Sequence, residues 1–197
     1  ILRAKFTEAL NHPDIVMLSI ATRPDCLPND VVALISELNK IKPVSVELGL
    51  QTIHESSAKY IRRGYSLDVY DDAVKRLKAE NIDVVTHLII GLPNESKEDM
   101  LQSVAHACNA GTNGIKLQLL HVLKGTNLAE LYQNGECSVL SLEDYTECVV
   151  SCLKVLPPDM VIHRLTGDGP KKLLIAPLWS ADKKKVMNTI NAAVRQA

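Results

Sequence analysis

Val44-Ser45-Val46-Glu47-Leu48-Gly49-Leu50-Gln51 alternates strictly. Val44, Val46, Leu48 and Leu50 are apolar, and Ser45, Glu47, Gly49 and Gln51 fall between them. Strand side chains point to opposite faces in turn. The segment therefore has one face for packing on helices and one that carries a carboxylate, a carboxamide and a bare glycine. A face of the second kind suits the inside of a barrel that holds a polar ligand. The run from Val84 to Pro93 repeats the idea more weakly, with His87 and Gly91 sharing a face. Both runs are short and each is followed by a helical pattern, which is how buried parallel strands read in repeated strand–helix units.

Working outward from these two, strands are expected near 15–21, 44–51, 83–90 and 115–123. Helical periodicity covers about 1–11, 29–40, 55–61, 67–80, 97–110, 128–133 and 141–156, with Ser96 and Ser141 as N-caps. Short crossovers predict four parallel strands in sequential order with helices on one face. After them come a strand at 160–164, a glycine-rich turn at 166–170 and a polar helix near 182–195. Arg164 and Asp168 read as a structural clasp across that turn. Four strands with a polar inner face do not close a barrel. Either the sheet is open, or the first strands of a larger barrel lie elsewhere, and a chain that begins with Ile1 reads as a fragment.

The chain has 197 residues, 46% of them hydrophobic, and a formal charge of −1. One core is expected from that length. No apolar run reaches the roughly 20 residues of a spanning helix, and the expected location is cytoplasmic. Near-zero net charge, one Phe and one Trp argue against a polyanion-binding surface with stacking aromatics. The five cysteines lack regular spacing and read as reduced thiols. Cys148 and Cys152 share a helix face without further ligands nearby, so they read as small buried apolar groups rather than a metal site. Lys183-Lys184-Lys185 reads as a solvated helix face.

Glu47 and Gln51 on an inward face read as functional, because such groups are costly to bury without partners. The competing reading is a structural hydrogen-bond network. His87 reads equally as a ligand contact or a satisfied core histidine. Arg63, read from its own surroundings, is a solvated charge after a helix.

Glu47-Leu48-Gly49-Leu50-Gln51, Arg63-Gly64 and His87-Leu88-Ile89-Ile90-Gly91-Leu92-Pro93 together resemble the second half of the radical S-adenosylmethionine (SAM) superfamily. Ala21-Thr22-Arg23-Pro24-Asp25-Cys26, His121-Val122-Leu123-Lys124-Gly125-Thr126 and Val161 to Asp168 resemble motifs of a bacterial group described as Fe–S oxidoreductases. That group is related to the elongator-type and coproporphyrinogen dehydrogenase branches. The resemblance covers essentially the whole chain. It implies an α/β partial (βα)6 barrel of TIM type lacking its first two strands, with residues 1–135 in the barrel and 136–197 forming the last helix and a C-terminal α+β extension.

The resemblance also implies a 4Fe–4S cluster on a Cys-x3-Cys-x2-Cys loop, with SAM on its unique iron. Reductive cleavage of SAM would yield a 5′-deoxyadenosyl radical that abstracts a substrate hydrogen. That loop does not occur here: Cys148 and Cys152 have the first spacing, but Val155 stands at the third place. The implied N-terminal half with the cluster loop is thus a missing partner, and this piece is expected to hold no metal, no cluster and no SAM-cleaving activity alone. Gln51 and Arg63 match positions that contact the amino-acid or ribose part of SAM. His87 stands where relatives carry a ribose-binding aspartate, and Gly91-Leu92-Pro93 would lay backbone against adenine. Thr22, Arg23 and Glu47 are further candidates for SAM, and Gln118 and His121 for a substrate, RNA or small molecule.

Two rivals remain from the residues alone. One is a barrel-type lyase or phosphatase that uses Glu47 and His87 as acid and base, the other a non-enzymatic module holding a nucleotide-like metabolite. The first strand would have an open edge, and such edges invite pairing, so a homodimer through that edge is expected.

Overall fold

The computed structural model describes residues 1–167 and 169–197; Asp168, one half of the expected clasp, lies outside the described residues. In chain order the elements are α1 (Leu2–Asn11), β1 (Leu18–Thr22), a 3-10 turn (Pro24–Cys26), α2 (Asn29–Asn39), β2 (Val44–Gln51), α3 (Glu55–Tyr60) and α4 (Leu67–Ala79). Then follow β3 (Asp83–Ile90), α5 (Lys97–Asn109), β4 (Gly114–Leu119), β5 (Val122–Leu123), α6 (Asn127–Gln133) and α7 (Leu142–Lys154). The chain ends with β6 (Val161–Arg164), β7 (Leu174–Ala176), a second 3-10 turn (Leu178–Ala181) and α8 (Lys183–Gln196).

Five parallel strands form one sheet in the order β1-β2-β3-β4-β6. The even-numbered residues of β2 and β3 and the odd-numbered ones of β4 face a single core. Val44, Val46, Leu48, Leu50, Val84, Leu88, Ile90, Ile115, Leu117 and Leu119 belong to it together with apolar side chains of α1, α2, α4, α5, α7 and α8. The α4 stripe shows why the helices lie where they do. Tyr70, Ala73, Val74 and Leu77 recur at helical spacing and are all buried. Each large apolar side chain so buried contributes roughly 1.5–3 kcal/mol. The Tyr70 hydroxyl is paired with Thr86 Oγ1 at 2.7 Å, and Thr86 with Thr112 at 3.0 Å, so these three buried hydroxyls are satisfied. At the start of α5, Ser96 Oγ accepts from Asp99 N–H while the Asp99 carboxylate accepts from Ser96 N–H, closing a capping box.

Three expectations change. The first strand begins at Leu18, not Ile15, because Leu18 is opposite Val44 and the residues before it have no strand beside them; Val16 is 80% exposed. The fourth ends at Leu119, since β3 ends at Ile90; Leu120 N–H caps the Ile90 carbonyl, and Val122–Leu123 turns away to pair antiparallel with β7. The strand at Val161–Arg164 is not separate from the barrel sheet: it extends the sheet as a fifth parallel strand beside β4.

Candidate functional site

The sheet face away from the helices is polar, and register decides what meets there. Gly49 is opposite His87, His87 opposite Lys116, and Lys116 opposite Arg164. Glu47, two residues earlier on β2 and on the same face, reaches into this row. Its Oε2 accepts from Lys116 Nζ at 2.5 Å and from His87 Nε2 at 2.8 Å, and its Oε1 accepts from Ser19 Oγ at 3.1 Å. Burial alone would raise the Glu47 carboxyl, but the hydrogen bonds from Lys116, His87 and Ser19 overcome it and hold the pKa down at about 2. Glu47 is thus ionised, so neutral His87 carries its proton on Nε2 and leaves Nδ1 as an acceptor. Burial lowers the His87 pKa, the Glu47 hydrogen bond opposes that, and the charge on Lys116 assists it.

Beyond Gly49 the strand ends in a tight turn. Gln51 has φ +68° and the Thr52 N–H bonds back to the Leu50 carbonyl at 2.9 Å. A three-residue turn with a left-handed non-glycine centre stores strain. Arg63 holds it in place. The guanidinium is buried, donating to the carbonyls of Thr52 at 2.6 Å, Leu50 at 3.3 Å and Tyr65 at 2.9 Å. Its Nη2 has no hydrogen-bond acceptor and lies 3.7 Å from Glu55 Oε2. The sequence alone suggested a solvated charge at Arg63; its burial overturns that. Tyr65 lies between two cations, with Arg63 at 4.8 Å and Arg23 at 5.5 Å from its ring centre, and its hydroxyl donates to the Gly49 carbonyl.

These groups border a cavity of about 420 Å³ lined by Thr22, Arg23, Glu47, Gln51, Arg63 and His87, with Ile61, Tyr65 and Ile89 completing its walls. It lies toward the C-terminal ends of the parallel strands, where open and closed α/β sheets bind ligands. Six of the residues singled out from sequence thus converge. Three others do not line it. Gly91 (φ +88°) is buried under Leu140, whose Cδ1 lies 3.0 Å from where a Cβ would stand. His121 sits against Gly167 and Gly169, beside a separate small cavity. Gln118 bonds Arg164 on the neighbouring part of the same face. Sequence reasoning missed Tyr65 and the part played by Lys116. The Arg63-Gly64-Tyr65 adjacency and the shared parity of Lys116 and Gln118 were the available signals.

The fold and this polar floor define a radical SAM protein: the chain belongs to the radical SAM superfamily, whose family model matches residues 1–107, and the Radical SAM C-terminal domain matches residues 112–196. Among similar proteins, YtqA of Bacillus subtilis (strain 168) is 44% identical over 191 residues, 97% of this chain and 59% of that protein. YhcC of Escherichia coli (strain K12) is 34% identical over 184 residues, 93% of this chain and 60% of that protein. The chain therefore spans 59–60% of the length of these relatives. The structure of Elp3 from the archaeon Methanocaldococcus infernus shares the fold, with a TM-score of 0.74 at 24% identity over 88% of this chain and 42% of that one.

Members of this superfamily typically bind a 4Fe–4S cluster and SAM. The cavity fits the second of these. It offers an anionic carboxylate, hydrogen-bonding amide and imidazole groups, apolar Ile61 and Ile89, and a bare Gly49 over which the Gln51 carboxamide lies. The cluster has no comparable place: among the described residues no three His, Cys, Asp or Glu side chains come together as metal ligands. No helix among them is long and apolar enough to cross a membrane.

Proposed function

We propose that this chain is the SAM-holding part of a radical SAM enzyme, with the cluster held by residues outside it. The observation that supports this reading is the convergence of Gln51, His87, Arg23 and Glu47 with Ile61 and Ile89 on one cavity of about 420 Å³. That size suits a nucleoside-containing ligand. Bound together in the longer protein, SAM and the cluster would supply the radical chemistry that removes a hydrogen atom from a substrate.

The chain's own residues bind and orient. His87 presents Nδ1 as an acceptor for a ribose hydroxyl, because Glu47 occupies Nε2. Gln51 offers both a donor and an acceptor, and its position is fixed by the turn that Arg63 clamps. Ile61 and Ile89 give apolar walls for a base. Glu47, ionised and paired with Lys116, adds a polar floor beneath the ligand. The acid–base lyase reading is disfavoured by Glu47: a carboxylate held at about 2 has no proton to give near neutrality, and with both oxygens engaged it is a poor proton acceptor.

The test is calorimetric titration of this chain with SAM. Without an iron anchor, saturable binding is expected with a Kd of about 0.1–1 mM, weakened on the order of tenfold in Gln51→Ala and His87→Ala. No saturable binding, or equal affinity in both variants, would overturn the reading.

A further inference from the structure

The row of residues across the concave face carries more positive than negative charge. Glu47 is shared by Lys116 and His87. Arg164, opposite Lys116 on β6, makes no ion pair with a carboxylate among the described residues. Its one side-chain hydrogen bond among the described residues runs from Nη1 to Gln118 Oε1 at 3.0 Å.

That bond fixes the chemistry of the pair. It engages the carboxamide oxygen and leaves the Gln118 amino group available as a donor. A guanidinium has five N–H donors and no acceptor, so Arg164 keeps four in a rigid fork. Lys116 uses one of three ammonium donors on Glu47. Three neighbouring side chains thus present mainly donors, with one positive charge uncompensated among the described residues, and Gln118 and Arg164 are half-buried. Half-buried charged donors are costly to leave unmatched, and a planar fork matches an oxyanion.

We propose that Arg164 and Gln118, backed by Lys116, form a subsite for an oxyanion of the substrate, a carboxylate or a phosphate group. The subsite is beside the SAM cavity and separate from it: neither Arg164 nor Gln118 lines that cavity, and His87 stands between the two. Calling the oxyanion the substrate's rests on the SAM reading above; anion capture itself rests on the donor set.

The test titrates this chain with sodium acetate and, separately, with inorganic phosphate, at constant ionic strength set by chloride. The readouts are the Arg164 Nε–H and Gln118 side-chain amide NMR signals. A saturable shift with a millimolar Kd is expected for at least one anion, and the one that binds more tightly names the group. The Kd should rise at least fivefold in Arg164→Gln and stay unchanged in Arg195→Gln on α8. Arg164→Lys keeps the cation and loses the fork; at least a threefold rise there serves if Arg164→Gln does not fold. Shifts linear in anion concentration, or undiminished in these variants, overturn the proposal. SAM titration of Arg164→Gln separates the two readings. Wild-type SAM affinity is expected, whereas a loss would put the carboxylate of SAM itself on Arg164 and overturn the substrate assignment. Failure of the wild-type chain to bind SAM, with saturable anion binding intact, sinks the SAM reading and the substrate assignment that rests on it, and leaves anion capture standing.

Discussion

The Gln51 carboxamide occupies the space that a side chain at Gly49 would fill: a Cβ built on Gly49 would stand 2.5 Å from Gln51 Nε2. The two residues belong to one strand end, and the absence of a side chain at the first is what lets the second fold over the sheet.

Gly49→Ala should therefore displace Gln51 rather than unfold the chain, because the clashing group is the end of a flexible side chain. SAM affinity is expected to fall by about tenfold, the worth of one or two hydrogen bonds. Calorimetric titration reads the affinity, and an unchanged urea midpoint confirms that the fold is kept.

Arg63→Lys should destabilise the chain by about 2–4 kcal/mol. A lysine cannot reach the carbonyls of Thr52, Leu50 and Tyr65 together or lie flat on the Tyr65 ring. Urea denaturation measures it; a cost under about 0.5 kcal/mol, typical of exposed substitutions, would return Arg63 to the surface.

The pH dependence follows from His87. Its folded pKa is lowered from 6.5, first by burial and further by Lys116 and Arg164, against the Glu47 hydrogen bond. The unfolded chain then binds more protons than the folded one in the window below 6.5. Stability should fall as pH drops from about 7 through that window toward the folded value. The quantity to compare is the unfolding free energy at pH 7.5 and 5.5 in the wild type and in His87→Gln. The variant is expected to lose less on acidification, and an equal loss would remove His87 as the cause.

Anaerobic treatment with iron and sulfide should leave no stoichiometric 4Fe–4S absorption on this chain. Cluster ligation takes three or four converging thiolates. Here Cys26 is exposed at the end of the 3-10 turn after β1, Cys108 and Cys137 are half-buried, and Cys148 and Cys152 are buried on α7. Burial raises the thiol pKa of both α7 cysteines, Cys152 to about 12, which disfavours the thiolates a metal needs. A full-strength cluster spectrum would show that the ligand set has been misread.

The free edge of β1 predicts self-association. Among the described residues β1 is paired on one side only, by β2, and Val16 and Met17 beside it are 80% and 44% exposed. Light scattering at about 100 µM should give a dimer mass, since edge pairing is weak and concentration-dependent. A monomer at that concentration removes the proposal.

The alternation at 44–51 marked a strand with one apolar and one polar face, because strand parity is a property of consecutive residues and needs no distant partner. The same parity put Glu47 and His87 on the polar face, and the Ser96 cap with Asp99 marked the start of α5 from three residues of local sequence. What parity left open was decided by register. Lys116 meets Glu47 across 69 residues of chain because β4 settles beside β3 with His87 opposite Lys116. The end of β3 set where β4 stops, and the vacant side of β4 drew Val161–Arg164 into the sheet. Arg63 reads as a surface charge in its own neighbourhood and becomes buried only when the turn after β2 wraps around it. Gly91 likewise gave the sequence no sign that Leu140 would cover it. Local periodicity specifies which face a residue takes, whereas long-range packing alone specifies what it meets there.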